Sequence, residues 1–351
     1  MLLVLCSAPV TPGTTGSQSR LEDARRLQQE GKLHEAITVL ERLVKEEPEN
    51  FEGGVLLAWL YAKTAQPERA IEKYRRLVSQ YPEEADLHNS LGALLFRQRQ
   101  LEEAKGEFET ARSLGPELAM PHFNLGLLSF EQGQFSAAAA SFHRAVELEP
   151  KRPVYYFSLA RAYRASYQFE PAAEAFRRGL ALHPPRRLAR TARLELALTL
   201  KHQGLLYESE RELAKLLDAD PEDADALFQL GRLYVAMNRY PEAEVEFRQL
   251  VEVRPEHGPA HFMLGLVAYR QDQPREALQS FRKLLELNPD HAEGAYYVGM
   301  ILQKSGDPQE AREAFEYALR IEPEHLGASY NLALLLAKLG EQEASRRQLA
   351  T

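Results

Sequence analysis

Residues 119–150 read AMPHFNLGLLSFEQGQFSAAAASFHRAVELEP, two apolar-periodic segments broken at Gly133 and closed by Pro150. Apolar residues at three- and four-residue spacing predict a pair of amphipathic helices joined by a tight turn. The stretch is one of a series. Pro48, Pro82, Pro116, Pro150 and Pro184 stand 34 residues apart; Pro221 follows after 37, and Pro255, Pro289 and Pro323 resume the 34-residue step. Nine of the 20 prolines therefore mark one phase of a repeat. A fixed period of this size argues for a stacked array in place of the pair of domains that length alone suggests.

With the proline at position 32, repeats start at 17, 51, 85, 119, 153, 190, 224, 258, 292 and 326. Position 8 is then Ala24, Ala58, Gly92, Gly126, Ala160, Ala197, Gly231, Gly265, Gly299 and Ala333. Position 20 is Ala in eight repeats and Ser in two, Ser209 and Ser345. Position 24 is Leu, Tyr or Phe, as in Phe108, Phe142, Phe176, Phe247, Phe281 and Phe315. Small residues at 8 and 20 let two helix backbones approach closely, and the bulky residue at 24 fills the space beside them. Gly31, Gly133, Gly204, Gly306 and Gly340 at position 15 mark the turn between the helices, and Pro67, Pro274 and Pro308 start the second one. The position-32 proline ends it.

This combination resembles the tetratricopeptide repeat family, most closely in Phe123-Asn124-Leu125-Gly126 and Tyr330-Asn331-Leu332-Ala333. The resemblance covers residues 17–351 as nine full repeats and a shortened tenth. It implies an all-α fold, a right-handed superhelical solenoid of antiparallel helix pairs with a concave groove for peptides. One departure is position 4, where the family often has Trp: here it holds Gly54, His88, Tyr156, Leu227 and others, and the single Trp59 sits at position 9. The family's carboxylate clamp needs a set of Lys and Asn positions that no three successive repeats supply. A continuous asparagine ladder at position 6 is absent too, since only Asn124 and Asn331 occupy that position.

Composition narrows the function. The chain is 44% hydrophobic and 27% charged, as a packed protein is. No apolar run approaches the ~18 residues of a membrane-spanning helix. Forty-three basic against 51 acidic residues leave a net charge of −8, so nucleic acid is not an expected partner. The lone Cys6 excludes a disulfide framework or a cysteine-cluster metal site. No phosphate loop, nucleophile elbow or His-Glu-x-x-His motif is present, and the chain is read as a non-enzyme without cofactor or metal. His257 and His261 straddle a repeat boundary, and His257, His291 and His325 recur at position 34, so the repeat explains them better than a ligand set does.

The remaining surface is the face of each first helix that does not pack. At 100° per residue, positions 2, 5, 6, 9, 12 and 13 form one stripe, expected to line the concave side. Aromatic residues Phe123, Phe157, Phe228, Phe262, Tyr296 and Tyr330 fall at position 5, with Trp59, Phe96, Phe130 and Tyr269 at 9 or 12. Interleaved are Arg25, Lys63, Arg97, Arg161, Arg164, Lys201, Arg232, Arg270, Lys304 and Lys338. The expected peptide-binding set is Phe123, Asn124, Phe130, Phe157, Arg161, Arg164, Phe228, Arg232, Phe262, Tyr269, Arg270, Tyr296, Tyr330 and Asn331. The expected partners are proteins or peptides with acidic groups and apolar anchors.

Two segments depart from the pattern. The 37-residue step adds three residues around Pro184-Pro185-Arg186-Arg187, where six arginines from Arg177 to Arg193 occur without an acid. Arg190 and Arg193 are expected to begin a helix there, at a solvated junction dividing five repeats from the rest. Residues 1–16 read as a truncated signal-like segment or a disordered start. Its short apolar run leans toward export over a cytoplasmic location, and the Leu3-Val4-Leu5-Cys6 match to a lipoprotein signal has a bulky Leu5 where a small residue is preferred. The expected function is a non-catalytic scaffold that binds partner segments. The alternative is the recognition subunit of an enzyme or envelope-assembly system whose catalysis lies in another chain.

Overall fold

Proline disfavours helical backbone in the residue before it. Accordingly Glu47, Tyr81, Glu149, Arg254, Asn288 and Glu322 leave the helix with ψ between 67° and 91°, each just ahead of its position-32 proline. The computed structural model describes residues 15–350, all-α, with twenty helices and no strand among them. The signal-like reading falls on residues outside that range, apart from Thr15 and Gly16, which belong to the first helix. The chain divides into two compact units, one through Pro184 and one from Pro185.

The N-terminal unit contains α1 (Thr15–Gln29), α2 (Leu33–Glu46), α3 (Phe51–Lys63), α4 (Pro67–Gln80), α5 (Ala85–Arg97), α6 (Leu101–Leu114), α7 (Ala119–Glu131), α8 (Phe135–Leu148), α9 (Pro153–Ala165) and α10 (Phe169–Ala181). The C-terminal unit contains α11 (Arg186–His202), α12 (Leu206–Ala219), α13 (Ala224–Ala236), α14 (Tyr240–Val253), α15 (Gly258–Arg270), α16 (Pro274–Leu287), α17 (Ala292–Ser305), α18 (Pro308–Ile321), α19 (Leu326–Lys338) and α20 (Gln342–Ala350). Within each unit every odd-numbered helix packs on the even-numbered one after it, and that one packs on the next odd-numbered helix. Helix α11 begins at Arg186, four residues before the expected repeat start at 190.

The helix crossing explains the small positions. All eight alanines at position 20, from Ala36 to Ala311, have 0% exposure. Ser209 and Ser345 fill the same place and donate their hydroxyls to the carbonyls of Ala197 and Ala333 at position 8, at 2.8 Å in both. A buried hydroxyl is thereby satisfied without widening the crossing. Where position 8 is Gly92, Gly126, Gly231, Gly265 or Gly299, the ring of Phe108, Phe142, Phe247, Phe281 or Phe315 takes the room of a Cβ. An added Cβ would stand 2.6–2.8 Å from that ring. Where position 8 is Ala24, Ala58, Ala197 or Ala333, position 24 is Leu40, Tyr74, Leu213 or Leu349 instead. Ala160 alone meets a phenylalanine, Phe176, and there the neighbouring Phe157 lies where a Cβ on Gly179 would be. Each fully buried phenylalanine contributes about 2–3 kcal/mol of apolar burial.

The turns share one conformation. All ten residues at position 15, Gly31, Ala65, Arg99, Gly133, Tyr167, Gly204, Asn238, Asp272, Gly306 and Gly340, have φ between 56° and 90°. Only five of them are glycine, so Ala65, Arg99 and Tyr167 hold a left-handed backbone that costs an L-residue about 1–2 kcal/mol. Packing imposes the turn even where the local residue resists it.

Adjacent repeats are also tied by polar seams. The Tyr61 hydroxyl donates to Glu41 at 2.8 Å, Arg69 binds the same carboxylate at 2.6 Å, and its guanidinium lies 4.1 Å over the Tyr61 ring. Tyr234, Glu210 and Arg239 repeat the arrangement at 3.0, 2.9 and 4.4 Å. Burial, then the adjacent carboxylate, pushes both phenols up to about 12. The hydroxyls therefore remain donors over the whole neutral range.

Candidate binding face

Position 5 lies at the edge of the first helix, where it meets both the second helix and the following repeat. Phe123 is half-buried, with its ring centroid 5.4 Å from that of Phe142 and 4.8 Å from that of Tyr155. Phe157 is buried, 5% exposed, and stacks on Phe176. Phe228, Phe262 and Tyr296 form a series: each meets the phenylalanine at position 24 of its own repeat, Phe247, Phe281 or Phe315, at 5.8–6.1 Å. Each also meets the histidine at position 34, His257, His291 or His325, at 4.9–5.2 Å. These rings thus belong largely to the packing between helices. Tyr330, in the last repeat, is 57% exposed.

The polar positions divide in the same way. Asn124 is buried and its amide donates to Asn89 Oδ1 at 2.8 Å, while Asn331 donates to the Gly327 carbonyl at 2.9 Å. Among the cations, Arg25 pairs with Glu52 and Lys304 with Asp272, so the inner stripe is not uniformly basic. Lys63 lies 5.4 Å over the half-buried Trp59 ring. In the N-terminal unit Arg161 of α9 reaches over Phe130 of α7, 6.0 Å from its centroid, bringing two expected residues together across a repeat boundary. Arg164, on the same helix, is half-buried.

In the C-terminal unit some cations of the stripe stand without an ion pair among the described residues. Arg232 lies 5.7 Å over Phe228. Burial, then the charge of Arg232, holds the Lys201 ammonium below the usual lysine range. Among the described residues no ion pair neutralises Lys201, Arg232 or the exposed Arg270. Tyr269, Tyr296 and Tyr297 cluster nearby, with Tyr297 5.5 Å from Tyr269 and 5.4 Å from Tyr296. Tyr297 was not in the expected set: position 6 varies so widely along the chain that no recurrence singles it out.

The arginine-rich junction is less open than expected. Arg190 grips Asp223 through two hydrogen bonds of 2.6 Å and Asp225 through a third of 2.7 Å; Arg193 binds Glu212 at 2.6 Å. Arg186 donates to the Ala219 carbonyl. The missing local acids are supplied by the next helices, so Arg190 and Arg193 are structural pairs and not a solvated edge.

No described helix is long and apolar enough to cross a membrane, and no described group of three or more His, Cys, Asp or Glu is placed to hold a metal. A family model described as tetratricopeptide repeat matches residues 21–85, 55–119, 90–153, 123–186, 194–250, 228–292 and 262–303, and a second of the same description matches 292–325. The chain belongs to the tetratricopeptide repeat family. Among curated protein sequences none matches it. Of solved structures, the crystal structure of MamA is 22% identical over 43% of this chain and 89% of that one, with a TM-score of 0.42. A second MamA crystal structure is 21% identical over 46% of this chain and 88% of that one, at 0.44. The structure of Naa15/Naa10 bound to HypK-THB is 13% identical over 95% of this chain and 68% of that one, at 0.40. Family membership rests on the repeats themselves, and tetratricopeptide repeats support a protein-interaction scaffold.

Proposed function

We propose that this tetratricopeptide repeat protein is a non-catalytic scaffold whose first-helix faces bind acidic segments of partner proteins. The observation that supports this most is the uncompensated charge of Lys201, Arg232 and Arg270 in a chain of net charge −8. Other cations near the repeat boundaries are matched to carboxylates, as Arg69 is to Glu41 and Arg239 to Glu210. Here Lys201 and Arg232 repel one another, and a carboxylate brought by a ligand relieves that repulsion. Phe130 under Arg161 and Phe228 under Arg232 offer apolar area next to the charge for a ligand's hydrophobic anchor. Phe157 and Asn124, being buried, act by holding the helices that present these groups, not by touching a ligand.

The test is a binding screen on the full chain with labelled peptides that combine Asp or Glu with Leu or Phe, against Lys-rich and neutral peptides of equal length. Acidic peptides are expected to bind, more weakly as salt rises. Charge reversal at Arg161, Arg164 and Arg232 is expected to weaken that binding by about tenfold or more. Unchanged affinity in every reversal variant rejects the proposed face.

A further inference from the structure

In the C-terminal unit three successive first helices begin on a histidine. His257, His291 and His325 each follow a proline and an acidic residue: Pro255-Glu256, Pro289-Asp290 and Pro323-Glu324. In each case the ring Nδ1 accepts the backbone N–H of the third residue on: Ala260 at 3.1 Å, Gly294 at 3.0 Å and Ala328 at 3.1 Å. The side chain therefore does what Asn50 does for Gly53 and Asp223 does for Ala226, satisfying a donor that the first turn leaves free. Imidazole differs from an amide or a carboxylate in one respect. Its nitrogen accepts only while it carries no proton, so the capped state is the neutral ring with its hydrogen on Nε2.

We propose that His257, His291 and His325 are a set of acid-labile helix caps, by which the C-terminal unit loosens the first turns of α15, α17 and α19 when imidazole takes up a proton. Protonation turns Nδ1 into a donor facing another donor, and it places a cation at the positive end of a helix. The groups around the rings do not rescue the cap. His257 faces Phe228 of α13, with Arg232 over that same ring and Arg254 and Glu256 in its own loop. His291 faces Phe262 of α15, with Asp290 before it and Glu293 in the first turn of α17. His325 faces Tyr296 and its Nε2 lies 3.0 Å from Glu293 Oε2, with Glu322 and Glu324 in its loop. A carboxylate can pair with a protonated ring through Nε2, as Glu293 is placed to do, but Nδ1 still points at the N–H. Phe262 and Tyr296 follow directly on the turns that loosen, so acid acts next to the face that the proposed function uses. The caps themselves stand independently of that function.

Amide hydrogen exchange on the ligand-free full chain tests the inference. Between about pH 8 and pH 5, after correction for intrinsic exchange, protection at Ala260, Gly294 and Ala328 is expected to fall about tenfold. Protection at Ala226 and Gly53, capped by Asp223 and Asn50, is expected to hold. In the triple variant His257→Asn, His291→Asn, His325→Asn, whose amides cap at any pH, the three amides are expected to keep their protection. Equal loss in the triple variant and the native chain overturns the inference, as does full protection of the native chain at pH 5. A second measurement needs no variant: ring nitrogen shifts at pH 8 are expected to show a bare Nδ1 on all three histidines, and a proton there overturns the assignment.

Discussion

The two units share a packing pattern and differ in how their helices begin and turn. Phe108, Phe142 and Phe176 in one, and Phe247, Phe281 and Phe315 in the other, are almost wholly buried. In the N-terminal unit Asn50 caps α3, but Glu84, Leu118 and Arg152 precede α5, α7 and α9 without a side-chain cap, and Ala65, Arg99 and Tyr167 hold three of its five left-handed turns. In the C-terminal unit Asp223, His257, His291 and His325 all cap, and Gly204, Asn238, Asp272, Gly306 and Gly340 occupy the turns. Glycine, Asn and Asp tolerate that backbone far better than Ala, Arg or Tyr. The difference teaches that packing alone is enough to impose the repeat, and that helix ends are free to diverge for other purposes.

The largest effect should show no difference between the units. Phe142→Ala and Phe281→Ala are each expected to lose about 3–5 kcal/mol, measured by denaturant unfolding followed by far-UV circular dichroism. Clearly unequal losses break the claim of equivalent cores. Next comes position 34. Burial opposes ionisation of Asp223, but the Arg190 hydrogen bonds and the Ala226 N–H hold its pKa below the usual carboxylate range. Asp223→Ala is expected to cost about 2–3 kcal/mol, the loss of a cap and of an ion pair whose carboxylate side chain is 3% exposed. Glu84→Ala, at the same position in the other unit, should change stability by less than about 0.5 kcal/mol. The sign with pH follows from the lowered value. The Asp223 contribution is complete above the unfolded-state carboxylate range and is lost as pH falls through the lower folded-state value. Unfolding midpoints of the native chain and of Asp223→Ala should therefore converge in acid.

The smallest effects concern the turns. Ala65→Gly relieves a left-handed alanine and is expected to stabilise by about 0.5–1 kcal/mol. Trp59, the single tryptophan, lies on the preceding helix α3 and reports that unfolding by fluorescence. Asn238→Gly, at the equivalent turn of the other unit, should change stability by no more than about 0.3 kcal/mol, because Asn already accepts the conformation. A larger gain at Asn238 than at Ala65 reverses the comparison.

Much of the fold was legible because its signals recur. Ala at 20 and Phe at 24 are ambiguous in one repeat, but ten repeats in phase leave a single reading, and those positions are the buried ones. The candidate face was less legible. Helical arithmetic assigns position 5 to a free stripe of an isolated helix, yet in the array Phe123 and Phe262 touch the next repeat as well as their own second helix, and Phe228 touches the histidine that caps the next first helix. Two of the stripe's charges are neutralised for a related reason: Arg25 and Lys304 find Glu52 and Asp272 about one repeat away, a pairing that no local window contains. The histidine caps had a sequence signal, three recurrences just ahead of a helix where Asn50 and Asp223 also stand, but recurrence by itself does not distinguish a cap from a spacer.

The glycine at position 8 and the phenylalanine at position 24 have a consequence for descent. A crossover between two repeats at their position-32 prolines moves both partners together, and every product keeps a matched crossing. A crossover at the position-15 turn separates them, so that Ala197 inherits a phenylalanine or Gly231 a leucine. The first product is overfilled and the second is left with a void. Repeats of this chain are therefore expected to be interchangeable as whole cassettes cut at proline, and to resist exchange of single helices.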